Sequence, residues 1–155
     1  MAGPGQGGSP GMNRHIDPDR QAWELFKSLP RDQPIHMLNL VRLNRLADYP
    51  EGHPDHGRGL TGRQAYQAYG RTTAHIFQRL GGRQVWAGRP EVTLTGPQDE
   101  AWDIAFIAAY PDSAAFMAMV RDPEYQQLVV HRTAAVADSR LIRMAPAEPG
   151  EGFGE

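Results

Sequence analysis

The sequence predicts an α+β domain in which helices cover one face of a four-stranded antiparallel sheet. The chain has 155 residues, 40 % of them hydrophobic, which is enough for one ordinary core. After one additional N-terminal helix, the strand and helix patterns follow the order strand, helix, strand, strand, helix, strand. Right-handed connections place this βαββαβ order in one sheet with the first and third strands in its centre.

Both ends of the chain are expected to be disordered tails, namely residues 1–15 and 146–155. They are rich in glycine, proline and polar residues. Such segments bury too little apolar surface to offset the entropy of ordering them. The folded domain is therefore predicted to span residues 16–145, close to the commonest domain size.

The first two predicted elements are a short helix and a strand. Asp17 is the expected N-cap of the helix, Pro18 fits its first position, and Pro30 ends it. The strand spans residues 35–43 and is largely apolar on both faces. A strand of this kind must be covered on both sides. A polar loop rich in proline, glycine and histidine follows, over residues 44–59.

A longer helix and an edge strand come next. The Thr61 hydroxyl and the Gln64 side chain fit a capping box at the start of the helix, and the glycine pair at 81–82 fits its end. The second strand is predicted over residues 83–94. Pro90 has no amide hydrogen for a strand ladder, so this strand is expected at an edge, with a bulge.

The remaining elements are a central strand, a helical segment and a second edge strand. Residues 102–110 form the most apolar strand. A helix is predicted over residues 113–121. Asp122-Pro123 then supplies a new N-cap and first helical position for a continuation to about Arg132. Residues 139–144 alternate as an edge strand does.

The two central strands predict an oligomer. The helices cover one face of the sheet, yet the first and third strands are apolar on the other face as well. Both tails are polar, so the chain has no further segment to cover that face. The expected partner is a second copy of the chain, packed sheet to sheet in a homodimer.

Composition excludes several function classes. Sixteen Lys and Arg stand against eighteen Asp and Glu, so the basic excess that holds nucleic acid is missing. The chain has no cysteine, which excludes disulfides, thiol catalysis and thiolate metal sites. No glycine-rich dinucleotide motif or nucleophile elbow is present, so no cofactor is expected. No signal peptide or membrane span is visible, and a cytoplasmic location is expected.

Four segments of the chain carry a family resemblance. They read, in order, HMLNLVRL, LTGRQAYQAYG, GGRQVWAGRPEVTLTGPQDEAWD and DPEYQQLVVHRTAAVADSRLI. Together they resemble the bacterial "domain of unknown function 1330" (DUF1330) family, over about residues 16–144. That family is similar to the dimeric α+β barrel superfamily, in which two ferredoxin-like sheets pack face to face.

The resemblance implies a ferredoxin-like fold and a homodimer, but it brings no established activity. The superfamily includes cofactor-independent monooxygenases of polycyclic aromatic compounds, muconolactone isomerases and haem-binding members. Fold analogy of this kind gives only a weak indication of function.

One short motif has the residue types of a metal site. His53-Pro54-Asp55-His56 brings two imidazoles and a carboxylate within four residues, a donor set that suits zinc, nickel or iron. A solvated loop is the favoured interpretation, because a metal site also needs fixed geometry and supporting hydrogen bonds. No metal is therefore expected.

The candidate site residues lie on the first strand, at the start of the third strand and on the helices. Asn39 and Arg42 are polar positions among apolar neighbours, on opposite faces of the strand, and serve either a ligand or structural pairing. His131 is the candidate catalytic residue, because imidazole exchanges protons near neutral pH. Three further residues are candidate ligand contacts, alongside Asn39 and Arg42: Tyr69, Trp102 and Arg132.

Two hypotheses follow from these residues. The first is a small-molecule-binding dimer whose pocket lies between helices and sheet. The second is a cofactor-independent monooxygenase or isomerase of aromatic or lactone compounds. In the second, His131 moves the proton and Asn39 or Arg42 stabilises a developing enolate or oxyanion.

Overall fold

A four-stranded antiparallel sheet with the strand order β2-β3-β1-β4 forms the centre of the chain. The computed structural model describes residues 14–154. The elements in chain order are α1 (Arg20–Ser28), β1 (Ile35–Leu43), α2 (Gly62–Arg79), β2 (Arg83–Gly88), β3 (Ile104–Tyr110), α3 (Ser113–Arg121), α4 (Pro123–Leu128), α5 (Val130–Ala135) and β4 (Val136–Met144). The ferredoxin-like α+β fold, with β1 and β3 central and β2 and β4 at the edges, is confirmed.

The first helix begins later than the sequence indicated. Asp19, not Asp17, is its N-cap and accepts a hydrogen bond from the amide of Gln21. Proline at position 18 fits a helix start in general, but here it precedes the cap. The helix is fixed to the fold by the stacked rings of Trp23 and Phe26, both of which also lie near Phe116 of α3.

The start and end of α2 are as predicted. The Thr61 hydroxyl accepts a hydrogen bond from the Gln64 amide, and the Gln64 side chain accepts one from the Thr61 amide. Gly81, with φ of 84°, ends the helix in the left-handed region that favours glycine. These contacts define the two ends of α2.

Three boundaries in the second half differ from the prediction. The second strand ends at Gly88 instead of residue 94, because Pro90 and the chain after it leave the sheet; its bulge lies between Gln84 and Trp86. β3 begins at Ile104 instead of residue 102. β4 begins at Val136 instead of residue 139, since it follows α5 without a loop. The continuation after Asp122 divides into α4 and α5 at Val129.

The core on the helix side of the sheet consists of two hydrophobic clusters. The first is built around Ile35, Met37 and Ile76, and the second around Val41, Ala65 and Val136. Ile76, Ala65 and Val136 have no exposed surface. Met37 and Val41 lie on one face of β1. The clusters are therefore adjacent along the sheet.

The other side of the sheet, which we call the open face, carries apolar residues without helices over them. Strand register places on it the following side chains: His36, Leu38, Leu40, Arg42, Trp86, Ala105, Ile107, Ala109, Asp138, Arg140, Ile142 and Met144. Trp86 is 51 % exposed and Ile142 is 47 % exposed. The part of this face near these two residues is thus uncovered by the described chain.

The chain ends are described only in part. Arg14 donates hydrogen bonds to backbone carbonyls of Val136 and Ala137, and the His15 amide donates to Asp138, so residues 14 and 15 lie along β4. The rest of the proposed N-terminal tail lies outside the described residues. Residues 145–154 contain no helix or strand. Over the described range, no helix combines the length and hydropathy that crossing a bilayer requires.

Candidate functional site

A layer of polar side chains separates the two hydrophobic clusters between helices and sheet. On β1, Met37 belongs to one cluster and Val41 to the other, and Asn39 lies between them on the same face. Four further residues from the helices belong to this inner polar layer: Tyr66 and Tyr69 of α2, Tyr125 of α4, and Arg132 of α5. This layer lies between helices and sheet, where the sequence analysis predicted a pocket.

The three tyrosines contact one another. The hydroxyls of Tyr69 and Tyr125 share a hydrogen bond of 2.7 Å. The rings of Tyr66 and Tyr69 lie 5.5 Å apart between centroids, and those of Tyr69 and Tyr125 lie 6.1 Å apart. These spacings are typical of favourable tilted aromatic contacts. The layer therefore presents both ring edges and hydroxyl groups.

Arg132 brings a positive charge to this layer. Its guanidinium donates to the carbonyl of Ile16, at 2.7 Å, and to the Ser139 hydroxyl of β4, at 3.3 Å. Burial raises the pKa of Tyr66 to about 12, although the charge of Arg132 acts in the opposite direction. Burial also raises the pKa of Tyr69 well above its ordinary value. Both phenols are therefore neutral hydrogen-bond donors at pH 7.

Two polar atoms of the layer have no protein partner within residues 14–154. The Asn39 amide group donates to the carbonyl of Met37 at 3.0 Å, but its side-chain oxygen accepts no hydrogen bond. The Tyr66 hydroxyl makes no hydrogen bond with another described residue. Asn39 and Tyr66 are both partly buried, so part of each residue is open to solvent. These two atoms are thus available to a bound molecule.

His131 lies in a different environment from its neighbour Arg132. The His131 Nδ1 and the Tyr49 hydroxyl are joined by a hydrogen bond of 2.6 Å. The His53 ring stacks on Tyr49 at 4.7 Å and meets the His131 ring edge-on at 5.7 Å. We call Tyr49, His53 and His131 the histidine cluster. It fastens the loop after β1 to α5. No pattern in the sequence indicated Tyr49 as the partner of His131.

The His53 to His56 motif is held by local hydrogen bonds. His53 Nδ1 accepts from the amide of Asp55, and His56 Nδ1 donates to the carbonyl of Tyr49. Asp55 pairs with Arg58 at 2.7 Å. No group of three metal-ligating side chains occurs within residues 14–154. The hydrogen bonds within the motif make this segment a structured loop.

The environment of His131 predicts a pH dependence of stability. Burial lowers the pKa of His131, and His53 and Arg71 lower it further, while Asp55 opposes them. The unfolded chain, with a histidine pKa of about 6.5, therefore binds the proton first as the pH falls. The free energy of unfolding should decrease below about pH 6.5 until the folded ring is also protonated.

Urea unfolding between about pH 5 and pH 7.5 checks this prediction. His131→Gln should show a smaller loss of stability at low pH than the unmodified chain. The control is His75→Gln, because His75 lies exposed on α2 and its side chain forms a hydrogen bond with Glu124 at the surface. If the free energy of unfolding changed equally with pH in all three proteins, the assignment of this effect to His131 would be wrong.

Arg42 and Trp102 lie on the opposite side of the sheet from the inner polar layer. Arg42 donates to the carbonyl of Asp99 at 2.9 Å and lies 3.9 Å from Asp138. Arg140 pairs with Asp138 at 3.0 Å and stands 5.1 Å over the Trp102 ring. Asn39 and Arg42 thus occupy opposite faces of β1, as the alternation predicted.

The structure therefore distributes the predicted site residues over three places. Tyr69 and Arg132 lie close together on the helices, and Asn39 lies on the helix side of β1, with no hydrogen bond to either of them among the described residues. His131 belongs to the histidine cluster, and Arg42 and Trp102 belong to the open face. Tyr125, a further member of the layer, was visible in the sequence only as an apolar position on a helix face.

Two surface grooves, each of about 430 Å³, lie outside the inner polar layer. The first lies between the loop after β1 and the outer side of α4 and α5, next to Asp48, Pro50 and Val130. The second lies where β1 begins and β4 ends, next to Leu29, Pro34 and Arg143. Both are shallow and open to solvent, and neither is lined by a predicted site residue.

Comparison with known proteins identifies a family and similar structures. The profile of the DUF1330 family, described as a domain of unknown function, matches residues 59–145. RPA0582, a protein of unknown function from Rhodopseudomonas palustris, is 52 % identical and has a TM-score of 0.80; the match covers 88 % of this chain and 100 % of that one. Methylated RPA0582 matches with 52 % identity, 90 % and 100 % coverage, and a TM-score of 0.82.

A more distant similarity concerns SnoaB, a cofactor-independent oxygenase from Streptomyces nogalater. It is 18 % identical, with 77 % of this chain and 99 % of that chain covered and a TM-score of 0.47. Curated proteins gave no significant match.

Proposed function

Because the chain belongs to the DUF1330 family, whose function is unknown, we propose from its own geometry that it is a homodimer that binds a small organic molecule between helices and sheet. The observation that carries the binding proposal is the inner polar layer between two hydrophobic clusters. The ligand class that fits this layer is a planar aromatic acid.

Two polar atoms of the layer support a ligand. The side-chain oxygen of Asn39 and the hydroxyl of Tyr66 have no hydrogen-bond partner within residues 14–154, and both residues are only partly buried. A molecule with hydrogen-bonding groups in this layer would pair both.

The chemistry of the layer favours an anion with a ring. Arg132 supplies the fixed positive charge, and guanidinium groups pair well with carboxylates. Tyr66 and Tyr69 are neutral phenols that donate hydrogen bonds. Their ring edges offer contact to an aromatic ring. These features together match an aromatic carboxylate.

The open face supports the homodimer. Trp86 and Ile142 are each about half exposed on the side of the sheet without helices. Exposed apolar patches on a sheet face typically mark an interaction surface. The sheet cannot bury these residues with the described segments of its own chain, whereas an identical face of a second copy buries both sets at once.

The alternative is a cofactor-independent monooxygenase or isomerase, which needs a proton-transfer group at the ligand. His131, the candidate for that role, is hydrogen-bonded to Tyr49. Binding without chemistry therefore fits the geometry better. Turnover of quinols or lactones that falls about a hundredfold in His131→Ala would favour the enzyme instead.

Binding of 1-naphthoate, compared with neutral 1-naphthylmethanol, tests the proposal by isothermal titration calorimetry. The unmodified chain should prefer the acid, and Arg132→Gln should weaken acid binding about ten- to hundredfold, as loss of a charge-assisted hydrogen bond does. Arg132→Lys should keep part of the preference. Arg143→Gln is the matched control, because Arg143 also donates to backbone carbonyls, those of Phe26 and Pro30.

Two outcomes would contradict the binding proposal. One is the absence of 1-naphthoate binding to the unmodified chain at millimolar concentration. The other is an equal loss of binding in Arg132→Gln and Arg143→Gln, which would indicate general destabilisation. Melting temperatures of the variants, measured without ligand, separate folding from binding.

A further inference from the structure

Residues 89–101, which we call the arm, connect β2 to β3 and contain no helix or strand. The arm is attached to the open face at one end of the sheet. Arg42 donates to the carbonyl of Asp99 at 2.9 Å, and Arg140 pairs with Glu100 at 2.9 Å. Both arginines belong to the open face, so the arm borders this face.

The arm has a defined shape. The Glu100 amide donates to the carbonyl of Pro97 at 3.1 Å and closes a turn. The Thr93 hydroxyl donates to the carbonyl of Glu100 at 3.3 Å, so the arm folds back on itself. The backbone that carries the exposed apolar residues of the arm is therefore held by hydrogen bonds within the arm.

Two apolar side chains of the arm are largely exposed in the described part of the chain. Val92 is 79 % exposed and Leu94 is 91 % exposed. They flank Thr93, which is fixed to Glu100. A second copy that packs on the open face lies next to the arm that borders it.

The charges at this end of the sheet are balanced, since Arg42 and Arg140 face Asp138 and Glu100, and do not repel an identical face.

We propose that the arm docks on the second copy of the chain, where Val92 and Leu94 pack against the exposed apolar part of the partner's open face. The inference rests on the proposed homodimer and adds a second contact to it. By two-fold symmetry each subunit contributes one arm and receives one. The dimer is then held by the sheets in the centre and by two arms at the rim.

Chemical labelling of an introduced cysteine tests this contact. The chain has no cysteine, so Leu94→Cys creates a single reactive thiol. The control is Leu25→Cys, at a position that is 64 % exposed on α1, on the helix side. In the dimer, a maleimide should label the thiol at position 94 at least about tenfold more slowly than that at position 25. Equal labelling rates in the dimer would overturn the inference.

A double variant gives a second, independent measurement. The double variant Val92→Ser/Leu94→Ser replaces two apolar side chains in each subunit, four in each dimer. It should raise the dissociation constant at least about a hundredfold. Its thermal stability as a monomer should hardly change, because both side chains are exposed there. If Ile142→Asp dissociates the dimer but the double variant leaves the dissociation constant unchanged, the arm contact is rejected and the sheet-to-sheet dimer is retained. If the unmodified chain is itself a monomer, both the arm contact and the dimer are rejected.

Discussion

Ile142→Asp is expected to separate the proposed homodimer into folded monomers. Ile142 lies on β4 opposite Leu38, on the open face, and is 47 % exposed in the isolated chain. An aspartate there remains hydrated in the monomer and disturbs little. In the dimer, symmetry buries two carboxylates against apolar surface at once. Buried charges without partners lower stability by about 2 kcal/mol or more each, so the dissociation constant should rise at least about a thousandfold.

Sedimentation velocity over a range of concentrations measures this effect. Leu25→Asp provides the control, since Leu25 is also apolar and exposed but lies on α1. The control should stay dimeric. Circular dichroism of Ile142→Asp should retain the spectrum of the unmodified chain. A dimer of unchanged affinity in Ile142→Asp would show that the open face is not the interface.

Gly62→Ala is expected to give the largest loss of monomer stability. A Cβ atom at Gly62 would overlap the backbone carbonyl oxygen of Asn44. Asn44 cannot move away easily, because its amide donates to Ala135 at 2.8 Å and its side chain donates to Ala134 at 3.1 Å. Forcing an extra methyl group into such a contact lowers stability by about 1–3 kcal/mol, and at times more.

Gly70→Ala is the matched control, on the same helix. A Cβ atom there meets nothing within 4 Å. Alanine should stabilise the helix by about 0.5–1 kcal/mol, since glycine is the poorer helix former. In urea unfolding at one protein concentration, the midpoint of Gly62→Ala should therefore lie below that of the unmodified chain, and the midpoint of Gly70→Ala above it. A midpoint in Gly62→Ala equal to or above that of the unmodified chain would contradict the close approach of α2 to Asn44.

Local signals predicted most of the fold. β1 spans residues 35–43 and α3 spans residues 113–121, both as the apolar patterns indicated. The capping box of Thr61 and Gln64 needs only residues three apart, so the sequence was sufficient to identify it. The strand order followed from the order of elements and the handedness of their connections.

The errors arose where tertiary contacts decide the boundary. Asp17 and Asp19 are both good N-caps, and the sequence alone does not distinguish them. The second strand was predicted too long because Val92 and Leu94 are strand-forming residues. In the structure they belong to the arm, whose backbone is directed by the distant arginines at positions 42 and 140.

The grouping of site residues depended on contacts far apart in sequence. His131 and Arg132 are adjacent, but consecutive helix residues project about 100° apart. The partner of His131 is Tyr49, in the loop after β1, and that of Arg132 is Ile16, before α1. No pattern within either segment indicates these pairs. The sequence was sufficient to predict a candidate site between helices and sheet. It was not sufficient to predict which side chains lie there.

The mass of the unmodified chain in solution shows whether a second copy covers the open face. Sedimentation equilibrium at tens of micromolar should give a particle of twice the 17.2 kDa chain mass, as the proposed homodimer requires. A particle of 17.2 kDa under the same conditions would refute the homodimer, since Trp86 and Ile142 would then face water.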